Sequence, residues 1–147
     1  MGLNRFVSCQ DEYNILNRNV EAELIPAMQK YGCGLLPYFP LASGLLTGKY
    51  KRTEMPEGAR LTDMPTFANR IYLTDENFDI VDNLNKFAHK TGHSILELAF
   101  GWMASRPTPA SIIAGATKPE QIDANVAAVN WVLSQSEIDE VDKISAR

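Results

Sequence analysis

"YFPLASGLLTGKY", residues 38–50, decides how the rest of the chain is read. It closes a short hydrophobic run, "GLLPYFPL" at 34–41, then turns glycine-rich at Gly44 and Gly48, and meets a cation at Lys49. A short continuous apolar run is the pattern of a strand buried on both faces, as in parallel sheets. A strand that runs straight into a flexible, cation-tipped loop is laid out as one wall of a ligand site.

Upstream, Phe6, Ser8 and Gln10 alternate with Val7 and Cys9, which predicts a strand near 6–10 and an irregular exit through Tyr13 and Asn14. In "VEAELIPAMQKYG", Ala22, Ile25, Met28 and Gln29 fall on helical spacing, and Gly32 is a stop. Downstream, residues 42–74 show no long period and hold Gly44, Gly48, Pro56, Gly58 and Pro65, so they read as one long loop. Thr74 opens a helix with an imperfect capping box, Asn77 standing where Glu is usual. Phe78, Val81, Leu84 and Ala88 form its apolar stripe, and Gly92 ends it. Residues 94–106 predict a second helix, with Ser94 and Glu97 as a good capping box and apolar residues nearly all round, so it should be well buried. "ASIIAGA" at 110–116 reads as a third short buried strand. Pro119 starts a helix over 118–129, and a capped amphipathic helix over 134–144 ends the chain. Strands alternating with helices predict an α/β fold with a parallel sheet, as in α/β barrels and doubly wound sheets.

The chain has 147 residues, 45% hydrophobic and 22% charged, which fits one globular domain or a piece of a larger one. A net charge of −4 argues against a nucleic-acid partner, whose footprint is basic. There is no apolar run of about 18 residues, so no membrane span is expected. The first residues lack the charged-then-apolar pattern of a signal peptide, and the expected location is the cytoplasm. Cys9 and Cys33 have no CxxC partner and read as reduced core thiols. His89 and His93 have the spacing of two ligands on a helix face. However, no Glu follows His89, and Gly92 and Ser94 break the helix, so surface or capping roles are expected and no metal.

In α/β folds ligands bind at the carboxyl ends of the strands. The first end offers Gln10 and Tyr13, the second Tyr38 through Lys49, the third Gly115, Ala116, Thr117 and Lys118. The Gly-Ala-Thr turn feeds a helix start, where free N–H groups and the helix dipole favour an anion. Lys118, Lys49 and Arg60 can add positive charge, so a phosphate-bearing ligand fits. Tyr38 offers a flat ring for stacking on a heterocycle, and Gln10 an amide to pair with another amide. Each feature also has a bland reading: a glycine before a helix makes a tight turn, and Tyr38 can be core. Their succession at neighbouring strand ends is the signal.

"QDEYNILNR" (10–18), "YFPLASGLLTGKY" (38–50), "GARL" (58–61) and "IIAGATKPEQIDANVAA" (112–128) come in an order and at a spacing that resemble the C-terminal half of an aldo-keto reductase. The loop with "LLTGKY" resembles the branch that includes potassium-channel β-subunits and bacterial aldo-keto reductases. The resemblance runs over nearly the whole of residues 1–147. It implies a partial (β/α)8 barrel, about its last three βα units with C-terminal helices, and NADPH-dependent reduction of a carbonyl.

Carried over by position, the resemblance implies that Gln10 hydrogen-bonds the nicotinamide carboxamide and Tyr38 stacks on its ring. Phe39, Leu41 and Ser43 would line the pyrophosphate, with Pro40 and Ala42 shaping the turn. Phe39 replaces a small Ser frequent there, so its contact would be through backbone. Lys49 and Arg60 would reach over the cofactor, and removing either charge should weaken NADPH more than NADH. Gly115, Thr117 and Lys118 would lie near the adenosine ribose and its 2′-phosphate. Gln121 and Asn125, one helical turn apart, would meet the adenine.

The family's Asp, Tyr, Lys and His tetrad and its Ser-Asn pair have no matching positions here, so no catalytic residue is nominated. A half barrel leaves two sheet edges and an inner face uncovered. The chain is then a fragment of a full enzyme, a partner of another chain that supplies the rest, or one of two self-associating copies. Two functions compete. One is the C-terminal half of an NADPH-dependent carbonyl reductase, meeting its small carbonyl substrate only with the other half present. The other is a non-catalytic NADP(H)-binding or regulatory module that pairs with another chain.

Overall fold

A computed structural model describes residues 4–63 and 71–147. Pro65 and its neighbours in the predicted loop lie outside the described residues. Strand β1 (Ser8–Glu12) and strand β2 (Gly34–Tyr38) pair in parallel, Ser8 opposite Gly34 and Glu12 opposite Tyr38. β1 therefore lies two residues later than the alternation predicts. β2 stops at Tyr38, short of the predicted 41, because Phe39 takes a positive φ of 52° that no strand can hold. Helix α1 (Leu24–Tyr31) connects the two and ends at the expected Gly32, which sits in the left-handed region. Ala22 falls before α1 starts.

The register separates two faces, since side chains alternate along a strand. Leu35 and Pro37 are buried, whereas Gly34, Leu36 and Tyr38 on the opposite face are only half-buried. Gln10 and Glu12 share that more open face, by pairing with Leu36 and Tyr38.

The predicted strand at 110–116 is not a regular strand. Residues 108–113 run along the second edge of β2 through isolated bridges, Leu35 with Pro109 and Tyr38 with Ile113. Leu35 N donates to Thr108 O at 2.9 Å, Ala110 N to Leu35 O at 2.8 Å, and Ile113 N to Pro37 O at 2.9 Å. Pro107 and Pro109 have no N–H to give, so the ladder starts broken.

The long loop has more local structure than expected: a 3-10 segment at Ala42–Thr47 and a short helix α2 (Arg60–Asp63). Helix α3 (Asp75–Lys90) is capped by Thr74, whose hydroxyl accepts from Asn77 N at 3.2 Å, and all four stripe residues are buried. Helix α4 (Ile95–Ala104) has the predicted Ser94–Glu97 capping box and buries seven of its residues. Helix α5 (Pro119–Ala128) has Pro at its first turn, and helix α6 (Gln135–Ile144) is capped by Ser134 and Glu137.

Leu35, Leu45, Leu46, Leu84, Leu98, Trp102 and Met103 are fully buried and join β2, the 3-10 segment, α3 and α4 in one core. Burial of each such leucine contributes about 1.5–3 kcal/mol. Asp142 fastens α6 to this core. It accepts from Trp102 Nε1 and from Arg18, both at 2.9 Å, and from Arg106, whose guanidinium lies over the Trp102 ring. His93 stacks on Trp131 at 3.9 Å and faces Glu97. Cys9 and Cys33 are free and half-buried, so they sit at the margin of the core.

Two edges remain apolar and open. Phe6 and Val7 beside β1 are 91% and 82% exposed, and Ile122, Val126 and Val132 around α5 are 55%, 65% and 85% exposed. Among the described residues no helix is long and apolar enough to cross a membrane, and no three His, Cys, Asp or Glu side chains gather to hold a metal.

Candidate functional site

The carboxyl ends of β1 and β2 meet through one buried side chain. Asn14 is fully buried. Its Nδ2 donates to Phe39 O at 2.9 Å, and its Oδ1 accepts from Leu16 N and Asn17 N, each at 2.9 Å. The exit of β1 is thereby bolted to the exit of β2.

Beyond that bolt the backbone is strained. Phe39, Ala42 and Ser43 have φ of 52°, 48° and 56°, and Gly44 follows at 97°. Positive φ costs a non-glycine residue about 1–3 kcal/mol and persists only where its surroundings hold it. Here Ala42, Leu45 and Leu46 are fully buried, Ala42 N donates to Phe39 O at 2.9 Å, and Gly44 N and Leu46 N both donate to Leu41 O. The change from negative φ at Leu41 to positive φ at Ala42 is the pattern of an anion-binding concavity, but here the Ala42 N–H is turned onto Phe39 O. The Ser43 hydroxyl is buried in this turn without a hydrogen-bond partner. Such orphans are rare and call for an explanation.

Two predicted cations flank the turn. The stem of Lys49 folds over Gly44, where an added Cβ would come within 3.2 Å of Lys49 Cε, and its Nζ is 5.1 Å from the Tyr50 ring. Arg60 lies 5.2 Å over the Phe39 ring. The Tyr50 hydroxyl accepts from Leu61 N at 2.9 Å, which draws the start of α2 back to the turn and so places Arg60. Tyr38 is half-buried and meets Phe39 edge-on at 5.2 Å. Gln10 is exposed on the same face of the sheet, Pro40 is buried and Leu41 half-buried. The structure thus brings Tyr38, Phe39, Pro40, Leu41, Ala42, Ser43, Lys49 and Arg60 into one place.

Three further residues of this end were not singled out from the sequence. Glu12 stands opposite Tyr38 and accepts from the Tyr72 hydroxyl, with Asn14 Nδ2 at 3.5 Å. Burial, and then its bond to Glu12, push the Tyr72 phenol well above its usual range, so it remains a donor. Tyr72 is held by Asn77, whose Nδ2 donates to Tyr72 O at 3.0 Å. A cavity of about 440 Å³ opens beside Tyr38, bounded by Asp11, Glu12, Asn17 and Asn19. Glu12 and Asn14 lay inside "QDEYNILNR", where a polar residue next to Ile15 and Leu16 was the available signal. Tyr72 had none, because it follows a stretch without periodicity.

The third strand end differs. Gly115, Ala116, Thr117, Lys118 and Gln121 are all exposed, and Asn125 is half-buried. The N–H groups expected to be free at this helix start are not. Gln121 Oε1 accepts from Thr117 N at 2.7 Å and Lys118 N at 3.3 Å, and also from the Thr117 hydroxyl. A side chain four residues on can reach back because one helical turn returns it to the same face. Ala116 and Asn125 border a groove of about 510 Å³ with Phe100, Ile112 and Ile122. An apolar cavity of about 580 Å³ lies elsewhere, at the free edge of β1 between Phe6, Cys9, Met28 and Cys33.

The sequence profile of the aldo/keto reductase family matches residues 2–146. The chain belongs to the aldo/keto reductase family. It is 42% identical over 141 residues to a probable voltage-gated potassium channel subunit beta of Oryza sativa subsp. japonica, covering 93% of this chain and 42% of that protein. It is 34% identical over 142 residues to the L-glyceraldehyde 3-phosphate reductase of Escherichia coli O157:H7, covering 91% and 40%. It is 36% identical over 132 residues to an NADH-specific methylglyoxal reductase of Escherichia coli strain K12, covering 87% and 38%. The chain spans about two-fifths of the length of these curated relatives. The branch that the "LLTGKY" loop pointed to is therefore represented among them.

Proposed function

We propose that these residues are the cofactor-holding part of an aldo/keto reductase barrel, binding NADP(H) for reduction of a small carbonyl compound. The observation that carries this reading is the Ser43 hydroxyl, orphaned and buried in a positive-φ turn between Lys49 and Arg60. A pyrophosphate supplies acceptor oxygens for that hydroxyl and negative charge for the two cations. Tyr38 offers its ring to the nicotinamide, and Gln10 its amide to the carboxamide. Thr117, Lys118, Gln121 and Asn125 take the adenosine end, once the Gln121 side chain releases the helix start. Bound NADPH supplies the hydride. The proton for the carbonyl oxygen would come from the tetrad that the resemblance places in the other half of the barrel, so no residue of these 147 is assigned to it.

The rest of the barrel is the occupant that fits the two open apolar edges. A closed (β/α)8 barrel takes eight strands and roughly 250 residues, and the chain spans about two-fifths of its relatives. One body that closes the ring covers both edges at once, Phe6 and Val7 at one side and Ile122 and Val126 at the other.

The test is a thermal melt of the chain with and without excess NADPH, and again with NADH. A ligand that binds only the folded state stabilises it, by about 2.7 kcal/mol at a hundredfold excess over Kd. An upward shift of a cooperative transition is the expected result. A cooperative transition that neither coenzyme moves would remove the cofactor reading for this chain.

A further inference from the structure

We propose that Glu12 makes this site sensitive to the oxidation state of the nicotinamide, favouring the cationic oxidised ring over the neutral reduced one. The inference rests on the reading that Tyr38 carries the nicotinamide. Glu12 and Tyr38 are directly paired across the two strands at their carboxyl ends. Paired residues of neighbouring strands are about 4.8 Å apart and project to the same face. A ring stacked on Tyr38 therefore has the Glu12 carboxylate as its lateral neighbour.

That carboxylate is held in place by two side chains. The Tyr72 hydroxyl donates to Oε1, and Asn14 Nδ2 lies 3.5 Å from the same oxygen. Both are neutral donors, so they orient the group without cancelling it. Among the described residues no lysine or arginine lies within 4.0 Å of it. The two cations of the site stand over Phe39 and Gly44. The charge of Glu12 is thus available to whatever rests on Tyr38. A unit charge a few ångströms away in a half-exposed cleft changes affinity by roughly three- to tenfold. The phosphates are common to both oxidation states, so the ratio of the two affinities isolates the effect on the ring.

The rival role for Glu12 is to anchor Tyr72 and the returning loop. Glu12→Gln separates the two, because the amide oxygen still accepts from Tyr72 while the charge is gone. Dissociation constants for NADP+ and NADPH are measured on the 147-residue chain, by calorimetry for the former and nicotinamide fluorescence for the latter. Glu12→Gln should weaken NADP+ by roughly three- to tenfold and leave NADPH within about twofold. Equal losses for both, or no loss for either, overturn the proposal and leave Glu12 as an anchor. If the wild-type chain binds neither form, the cofactor reading fails and this inference with it. If Glu12→Gln does not melt cooperatively, Tyr72→Phe and the salt dependence of the wild-type ratio decide instead. Releasing the anchor or screening the charge should each lower the preference for NADP+, and an unchanged ratio in both overturns the proposal.

Discussion

The two turns that would take opposite ends of a dinucleotide are built on different principles. The turn at 39–48 takes positive φ at Phe39, Ala42, Ser43, Gly44 and Gly48, buries Ala42, Ser43, Leu45 and Leu46, is bolted to β1 by Asn14 and is flanked by Lys49 and Arg60. Residues 115–118 are exposed, unstrained, and closed by one side chain of the next helix. The first turn is preorganised: its strain is met by the folded core, and a ligand finds the Ser43 hydroxyl unpaired and two cations already placed. Ordering costs subtract from affinity, so this end should provide most of the binding. The second turn is satisfied by itself, and a ligand there must displace Gln121.

Substitutions that touch the first turn should therefore cost fold stability as well as binding. Asn14→Ala has the largest expected effect. It leaves Leu16 N without its acceptor and cuts the side-chain tie to Phe39 O at a fully buried position, while Phe39 O keeps Ala42 N and Asn17 N keeps the Asn14 carbonyl. A buried group left unmatched costs about 1–3 kcal/mol, and with the lost tie between the strand exits a loss of about 2–3 kcal/mol is expected in urea unfolding. A loss below about 1 kcal/mol would mean that the two strand exits are not coupled as the geometry states. Gly44→Ala comes next, at about 1–2 kcal/mol. Its φ of 97° disfavours any side chain, whereas the neighbouring Lys49 stem, 3.2 Å from the added Cβ, can swing away. The strain should appear in the unfolding midpoint even in a Lys49→Ala background.

Lys49→Ala and Arg60→Ala sharpen the contrast in binding. The sequence led us to expect a larger loss for NADPH than for NADH. On the placement proposed above, both cations, which stand on residues 39–44, would lie at the end that NADH and NADPH share. Each substitution should weaken the two coenzymes by similar factors, roughly three- to tenfold at low salt. A selective loss for NADPH would move the cations back to the 2′-phosphate end.

What could be read from the sequence follows the same division. Helix boundaries were legible because capping is local chemistry: Thr74, Ser94 and Ser134 each begin a helix within a residue of the pattern. That β1 and β2 are parallel strands around a helix was legible from an alternating stretch, a short apolar run and the helical spacing between them. The 110–116 strand was overread, because "SIIA" has strand composition while Pro107 and Pro109 deny it a ladder. The 39–44 turn was recognised by its glycines and cation, yet its strain falls mainly on Phe39, Ala42 and Ser43, residue types that carry no mark of positive φ. Glu12 and Asn14 were in view but ungraded, since their importance depends on Tyr72 and Phe39, 60 and 25 residues away. The occupation of the 117–118 donors by Gln121 is a competition between a side chain and solvent, which residue spacing permits but does not decide.

Gln121→Ala has the smallest expected effect on folding and the most direct bearing on the contrast. The acceptor it removes serves Thr117 N, Lys118 N and the Thr117 hydroxyl, all at exposed residues. Water can replace it, so the unfolding free energy should fall by about 1 kcal/mol at most, as for the loss of an exposed cap. The ligand-dependent part separates two roles for the side chain. If Gln121 only plugs the helix start, its removal frees two donors and the upward shift produced by NADPH should grow. If it turns to meet the adenosine end, as proposed, the shift should shrink while the unliganded midpoint stays near that of the wild type. A stability loss as large as that of Asn14→Ala would erase the distinction between a braced turn and a provisional one, because the exposed turn would then be as integral to the fold as the buried one.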